Sequence, residues 1–380
     1  MKTRITGRVL LVGASALMFA SVAMADTIYV DQDATGNDDG TSWTDAYRDF
    51  QDGLGDCTSG DDIWVAEGTY RPASYYGFWL INGCRIYGGF AGTETQESQR
   101  DPWTHETVLS GDRNADDPTV TDNAYHVVFA GSTTGSTTVL DGFTITAGYA
   151  VGGTYFDQVG GGMLVAGSPT LAQLLFMDNY ASTNGGAMNI GNESQAWIDR
   201  SIFHHNATSG HGGALFITSD SVPVFSNSLF HSNATENGAG GAGYVVSCDP
   251  EFINCTFSDN RAGTGGGIYL SGAADPIITN SILYYNDDGG QDDESANLYI
   301  GGSSSPVVTY SDWEGHGAVG TGNIDADPAF IEEGTYEFKA DTPCFDTGTN
   351  AAVFTDLDLR NKDRIVFEAV DMGAYEVQEQ

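Results

Sequence analysis

Two histidines 27 residues apart, His204 and His231, are the side chains of this sequence best suited to chemistry near neutral pH. Each stands between a phenylalanine and an asparagine, in Phe203-His204-His205-Asn206 and Phe230-His231-Ser232-Asn233. Arg200 precedes the first of them in the chain, and Tyr284 holds the equivalent place in Leu283-Tyr284-Tyr285-Asn286. If the segments stack, the imidazoles lie one layer apart, ~5 Å. Arg200, His204, His231 and Tyr284 then become candidates for a ligand or metal site on one lateral face. No carboxylate is evidently spaced to complete such a site. The favoured reading of these side chains is therefore solvent-facing decoration of a strand. Tyr284, Tyr285, Tyr299 and Trp197 would add an aromatic surface for sugar rings, although aromatics also favour strands for packing alone.

Carboxylates are abundant: 52 Asp and Glu face 14 Lys and Arg, for a formal charge of −38. Such a charge argues against nucleic acid and anionic membranes as partners. Two groupings have the oxygen ligands that calcium prefers: Asp31, Asp33, Asp38 and Asp39, and Asp287, Asp288, Asp292, Asp293 and Glu294. Calcium is the cofactor they would suit, yet neither spacing is an EF-hand loop, and acidic loops are usually just solvated. Gly210-His211-Gly212 resembles a polygalacturonase tripeptide but overlaps a glycine turn, so coincidence is the reading adopted. Of the five cysteines, Cys57 and Cys84 are the pair expected to bridge. Cys255 is expected to be a buried thiol.

The elements that position these residues come from a repeat. A Gly-Gly pair, an apolar run and an aromatic-x-x-Asn closure recur five times between Gly160 and Asn286. The closing residues are Asn179, Asn206, Asn233, Asn260 and Asn286, spaced 27, 27, 27 and 26 residues apart. A fixed period of this size means stacked units. The units are too short and glycine-rich for helical pairs, and their apolar runs are β-rich, so each fits one coil of a parallel β-helix. The fold class expected is all-β: a single-stranded right-handed parallel β-helix with a short N-terminal helical cap. Phe176, Phe203, Phe230, Phe257 and Leu283 should point inward, with Leu174, Ser201, Ser228, Cys255 and Ser281 on the same face. Gln173, Arg200, Asn227, Asn254 and Asn280 should turn the chain, and their amides could bond one another along the axis.

Residues 1–25 read as a secretory signal, with Lys2, Arg4 and Arg8 before an apolar core and Ala23-Met24-Ala25 as the cleavage site. Their removal moves the formal charge from −38 to −41. The expected location is therefore outside a bacterial cell or on its surface, with no membrane insertion after removal. Residues 26–380 read as one elongated domain. Residues 26–75 form a cap and first coil, with Trp43, Ala46, Tyr47, Phe50 and Leu54 on one helical face. Residues 160–286 carry the five clear repeats, and 320–380 supply closing coils at the far end.

The paired Gly-Gly and Phe-x-x-Asn phrases resemble the repeat of polymorphic outer membrane proteins, known from chlamydial adhesins. The flanks resemble secreted bacterial right-handed β-helix proteins of the pectate-lyase-like superfamily. The resemblance lies in Ile28-Tyr29-Val30-Asp31, Gly68-Thr69-Tyr70-Arg71-Pro72, Gly322-Asn323-Ile324-Asp325-Ala326-Asp327-Pro328 and Val370-Asp371-Met372-Gly373-Ala374-Tyr375-Glu376. Resemblance to the adhesins implies adhesion or contact with an extracellular polysaccharide or cell-surface glycan. Resemblance to the superfamily implies the alternative, a calcium-assisted lyase or a glycoside hydrolase. Lyase chemistry wants a Lys or Arg base beside a cation. Within the repeats the only Lys or Arg residues are Arg200 and Arg261, which tips the expectation toward binding without catalysis.

Overall fold

A computed structural model describes residues 25–116, 118–290, 294–331, 336–338 and 341–378. The signal segment lies outside the described residues, except for Ala25. Among the described residues, no helix is long and apolar enough to cross a membrane.

Three long parallel sheets run the length of the molecule. Sheet 1 has ten strands, from Thr27–Val30 to Val307–Thr309. Sheet 2 has nine, from Gly68–Tyr70 to Asp312–Trp313. Sheet 3 has eight, from Phe78–Trp79 to Leu298–Ile300. A fourth, minor sheet joins Tyr149–Ala150, Tyr180–Ala181, Ala207–Thr208 and Ala234–Thr235. One coil runs from Met188–Ile190 in sheet 3 through Trp197–Asp199 in sheet 1 to Ile202–His204 in sheet 2, and each strand pairs with its equivalent one coil on.

The inward columns are as expected. Phe176, Phe203, Phe230 and Phe257 are fully buried and stack face to face at 4.8, 4.6 and 4.6 Å. Ser201, Ser228, Cys255 and Ser281 line the same interior without exposure. The corner residues Gln173, Arg200, Asn227, Asn254 and Asn280 all adopt left-handed backbone, with φ of 47–53°. The amide ladder, however, belongs to the closing asparagines. The backbone N–H and Nδ2 of Asn206 both donate to Oδ1 of Asn233, at 3.1 and 3.0 Å, and the pattern repeats from Asn179 to Asn297. The corner amides instead reach sideways to the C-terminal segment. The first glycine of each pair turns the chain with positive φ, +70° at Gly212. The second allows close stacking: a Cβ on Gly213 would lie 2.2 Å from the Gly241 carbonyl oxygen.

The ends depart from expectation. The cap helix is only Phe50–Asp56, started by Asp49, whose side chain accepts from the Gln51 N–H. Phe50 and Leu54 bury beneath it. Trp43 is outside the helix and packs on Tyr29 and Phe90 over sheet 1, at 4.8 and 5.5 Å. Tyr47 continues the sheet edge by exchanging backbone hydrogen bonds with Tyr29 and Asp31. Cys57 and Cys84 are bridged across 27 residues, one coil's length, as expected. Phe330 makes a single antiparallel bridge to Phe338. The last stretch does not extend the coils. It doubles back over the outer face of sheet 2, because that face carries apolar residues needing cover. Leu229 packs with Tyr336, Leu359 and Tyr375, and Ile282 with Phe338, Met372 and Val377.

Candidate binding site

The histidine pair forms with the expected spacing. His204 and His231 stack with ring centroids 5.0 Å apart and 1° between planes. His205 joins them, its Nδ1 2.8 Å from that of His204, so one of the two rings donates and the other accepts. The face is not open, because Tyr336 of the C-terminal segment lies 4.7 Å from the His231 ring. Burial, then the neighbouring imidazoles, push His231 down to about 3, and burial lowers His204 as well. His204 and His231 are therefore neutral at pH 7.

Arg200 does not meet the histidines through any hydrogen bond. Its Nε donates to Asp199 at 2.7 Å and its Nη1 to Asn361, fastening the C-terminal segment to the coil. Asn227, Asn254 and Asn280 do the same through Thr355, Asp371 and Thr349. Tyr284 lies against the cluster of Ile282 and Phe338, and burial pushes its hydroxyl up to about 12. The aromatic surface expected of Trp197, Tyr284, Tyr285 and Tyr299 does not assemble. Trp197 is on sheet 1 and Tyr284 on sheet 2, with Tyr285 at its turn, while Tyr299 is on sheet 3. His211 of the Gly-His-Gly tripeptide accepts from the Ala239 N–H at 3.1 Å, a coil-to-coil contact.

The acidic candidates are occupied locally. Asp31 accepts from the Asp33 N–H, Asp38 pairs with Arg48 at 3.0 Å, and Asp39 accepts from Thr41. Asp287 pairs with Arg261 at 3.4 Å and Glu294 contacts His316 at 2.8 Å. Asp292 and Asp293 lie outside the described residues. Among the described residues, no three His, Cys, Asp or Glu side chains converge as a metal site would require.

A different place has the geometry of a binding site. A groove of about 750 Å³ lies on the outer face of sheet 3. Its floor is the outward column Trp79, Phe129, Leu164 and Asn189, which the parallel register sets side by side. One wall comes from loops that overhang the early coils and present Tyr76, Tyr155, Phe156 and Asp157. The other comes from the turns after sheet 3, with Asn192, Glu193, Ser219 and Asp220. Trp79, Tyr76, Tyr155 and Phe156 are each at least half exposed, large apolar rings left facing water. They are held firmly: the Trp79 indole donates to the Tyr76 carbonyl at 3.2 Å, and Tyr75 behind them stacks on Tyr125 under Arg113. His126 at the groove's edge is buried and sits 3.0 Å from the Gly160 carbonyl, and burial lowers its pKa.

On the groove floor, the Nδ2 of Asn189 is buried and has no hydrogen-bond partner among the described residues. A buried amide donor left unpaired costs about 1–3 kcal/mol. That atom is closed to solvent, so the polar groups that face the groove's interior are those of the wall, Asn192, Glu193, Ser219 and Asp220. Beyond the groove the same column continues as Phe216, Tyr244, Tyr269 and Tyr299. Tyr244, Tyr269 and Tyr299 stack on one another at 4.8 and 4.6 Å, so their ring faces are already used. Along this column, the free aromatic faces are those in the groove. This column was missed because the repeats were aligned on their closing Asn. Aligned on Gly-Gly instead, the fourth residue after the first glycine reads Leu164, Asn189, Phe216, Tyr244 and Tyr269.

Residues 186–321, about a third of the chain, match the family model described as right handed beta helix region. The coil handedness is thus the expected one, and the fold is an all-β right-handed parallel β-helix. No curated protein matches the chain. Among solved structures, the crystal structure of pectate lyase Pel9A is similar at 14% identity, covering 94% of this chain and 98% of that one with a TM-score of 0.45. So remote a likeness assigns no activity.

Proposed function

We propose that this protein is an exported β-helix protein that holds a neutral glycan in the sheet 3 groove. The observation that carries the reading is the gathering of the exposed ring faces of Trp79, Tyr76, Tyr155 and Phe156 in one groove with polar side chains on its far wall. Aromatic faces suit the C–H faces of sugar rings, and amide and carboxylate groups suit their hydroxyls. The lining carboxylates Asp157, Glu193 and Asp220 disfavour an acidic glycan there. Displayed outside the cell, such a groove would serve adhesion. The disulfide and the signal-like N-terminus support export.

Calorimetric titration with neutral hexasaccharides of several linkages tests this. Binding is expected that weakens about tenfold in Trp79→Ala, in line with about 1–1.5 kcal/mol for one aromatic contact. A panel that gives no heat with the native protein refutes the reading.

A lyase reading has no support from the groove, since no Lys or Arg lines it. One observation favours a hydrolytic reading. Glu193 and Asp220 sit on successive coils, with the Glu193 N–H donating to the Ser219 carbonyl. The ~4.8 Å strand spacing is near the ~5–5.5 Å carboxyl separation of retaining glycosidases. New reducing ends that vanish in Glu193→Gln would establish it.

A further inference from the structure

A second groove, of about 670 Å³, lies where sheets 1 and 2 meet. At this corner the later coils turn with a single left-handed residue, but an early coil inserts a loop between Arg85–Phe90 and Thr107–Ser110. That loop forms one wall. The C-terminal segment at Leu357, Arg360, Asn361 and Lys362 forms the other, and Gln173 and Arg200 lie between. The C-terminal wall is tied to the residues between, with Asn361 donating to Gln173 at 2.7 Å and accepting from Arg200.

Its charge is unlike the rest of the molecule. Arg100, Arg200, Arg360 and Lys362 all line it, four of the chain's 14 Lys and Arg residues. Glu97 and Asp101 are the acids among the lining residues. Arg100 is paired with Asp141 and with the lining acid Glu97, Arg200 with Asp199, and Arg360 with Glu337. Lys362 is exposed and has no ion pair among the described residues. Beside these cations stands Trp103, 52% exposed, which also lines an adjoining hollow with Tyr375, Arg360 and Lys362. Arg200 marks the place in another way. It holds a left-handed corner, φ +47°, where the next three coils use Asn. Its head group is taken up by Asp199 and Asn361, so Arg200 sets the position of the C-terminal wall.

We infer that this groove binds a sugar ring carrying an anionic substituent, with Trp103 against the ring and Lys362 and Arg360 on the acid group. The shared chemistry is a sulfate ester or a carboxylate, either of which Arg and Lys recognise by charge-assisted hydrogen bonds. The molecule's overall negative charge does not forbid this, because fields from distant acids are screened beyond about 8 Å at physiological salt. The inference is independent of the neutral-glycan site, which lies on a different sheet.

The test titrates the whole protein with dextran sulfate oligomers, galacturonate oligomers and unsulfated dextran. Binding is expected for at least one acidic series and not for dextran, and which series binds identifies the substituent. Lys362→Ala with Arg360→Ala should weaken it at least about tenfold, as should Trp103→Ala, while Trp79→Ala leaves it unchanged. Dichroism of each variant verifies folding, and Lys362→Glu alone is a milder check that should also weaken binding. The inference is overturned if neither acidic series binds better than dextran, if the double variant binds like the native protein, or if Trp79→Ala abolishes the binding. Neutral hexasaccharide titrations read the other groove separately.

Discussion

Replacing Asn233 by alanine should be among the most damaging single changes to this fold. The side chain is fully buried and makes four hydrogen bonds. Its Oδ1 accepts from the backbone N–H and the Nδ2 of Asn206, at 3.1 and 3.0 Å. Its Nδ2 donates to the Phe203 carbonyl at 2.8 Å and to Asn260 at 2.9 Å. Each bond contributes about 1 kcal/mol net. The variant also strands the buried Asn206 backbone N–H, a further 1–3 kcal/mol or so. The sum is about 5–7 kcal/mol, a large share of the 5–15 kcal/mol typical of a whole domain. Urea unfolding followed by circular dichroism reads the loss. Exposed Asn37→Ala is the control, expected to change stability by less than about 0.5 kcal/mol. Asn233→Asp should not rescue, since it keeps the acceptor but loses both donated bonds and buries a charge. A loss below about 1.5 kcal/mol in Asn233→Ala would refute the claim that the ladder holds the coils in register.

Two further outcomes follow from the same contacts. Cys57→Ser with Cys84→Ser should lower stability by about 3.5 kcal/mol, the chain-entropy value for a bridge across 27 residues; dithiothreitol should then lower the melting temperature of the native protein and not of the variant. His231, held at about 3 by burial, binds fewer protons folded than unfolded, so its contribution is complete above pH ~6.5 and is lost as pH falls toward 3. The buried carboxyls of Asp371 and Glu376, raised by burial to about 6 and 8, act in the opposite sense, contributing below pH ~4 and losing that contribution as pH rises through 6–8. His231→Gln should therefore lose about 2 kcal/mol less than the native protein between pH 6.5 and 5, measured by urea titration at each pH; parallel curves for the two proteins would contradict the assignment.

Whatever the period controls was legible in the sequence. The Phe column, the small-residue column and the left-handed corners each recur every coil, so five copies vote on one position. The sequence does not tell the ladder column from the corner column, because both are Asn-rich and flank the same strand of each coil. Their difference is set by direction: Asn233 points into the coil stack, while Asn254 and Asn280 point out to the C-terminal segment. The path of that segment was not legible. It has no repeat, and its docking depends on long-range contacts such as Tyr336 with His231 and Asn361 with Arg200. The early-coil insertions escaped for the same reason, and they supply the groove walls at Tyr76, Tyr155 and Phe156.

This division explains where the candidate sites lie. A column repeated on every coil satisfies its own polar groups and stacks its own rings, as Asn206 on Asn233 and Tyr244 on Tyr269 do. Such a column has nothing left over for a ligand. Among the described residues, both candidate grooves lie where the repeat is interrupted. Asn189 interrupts the apolar and aromatic column of sheet 3, and its amide has no neighbour of its kind to bond. Arg200 interrupts the Asn corners, and the loop bearing Trp103 interrupts the tight turns beside it. In a solenoid whose repeats are self-sufficient, binding chemistry is carried by the exceptions.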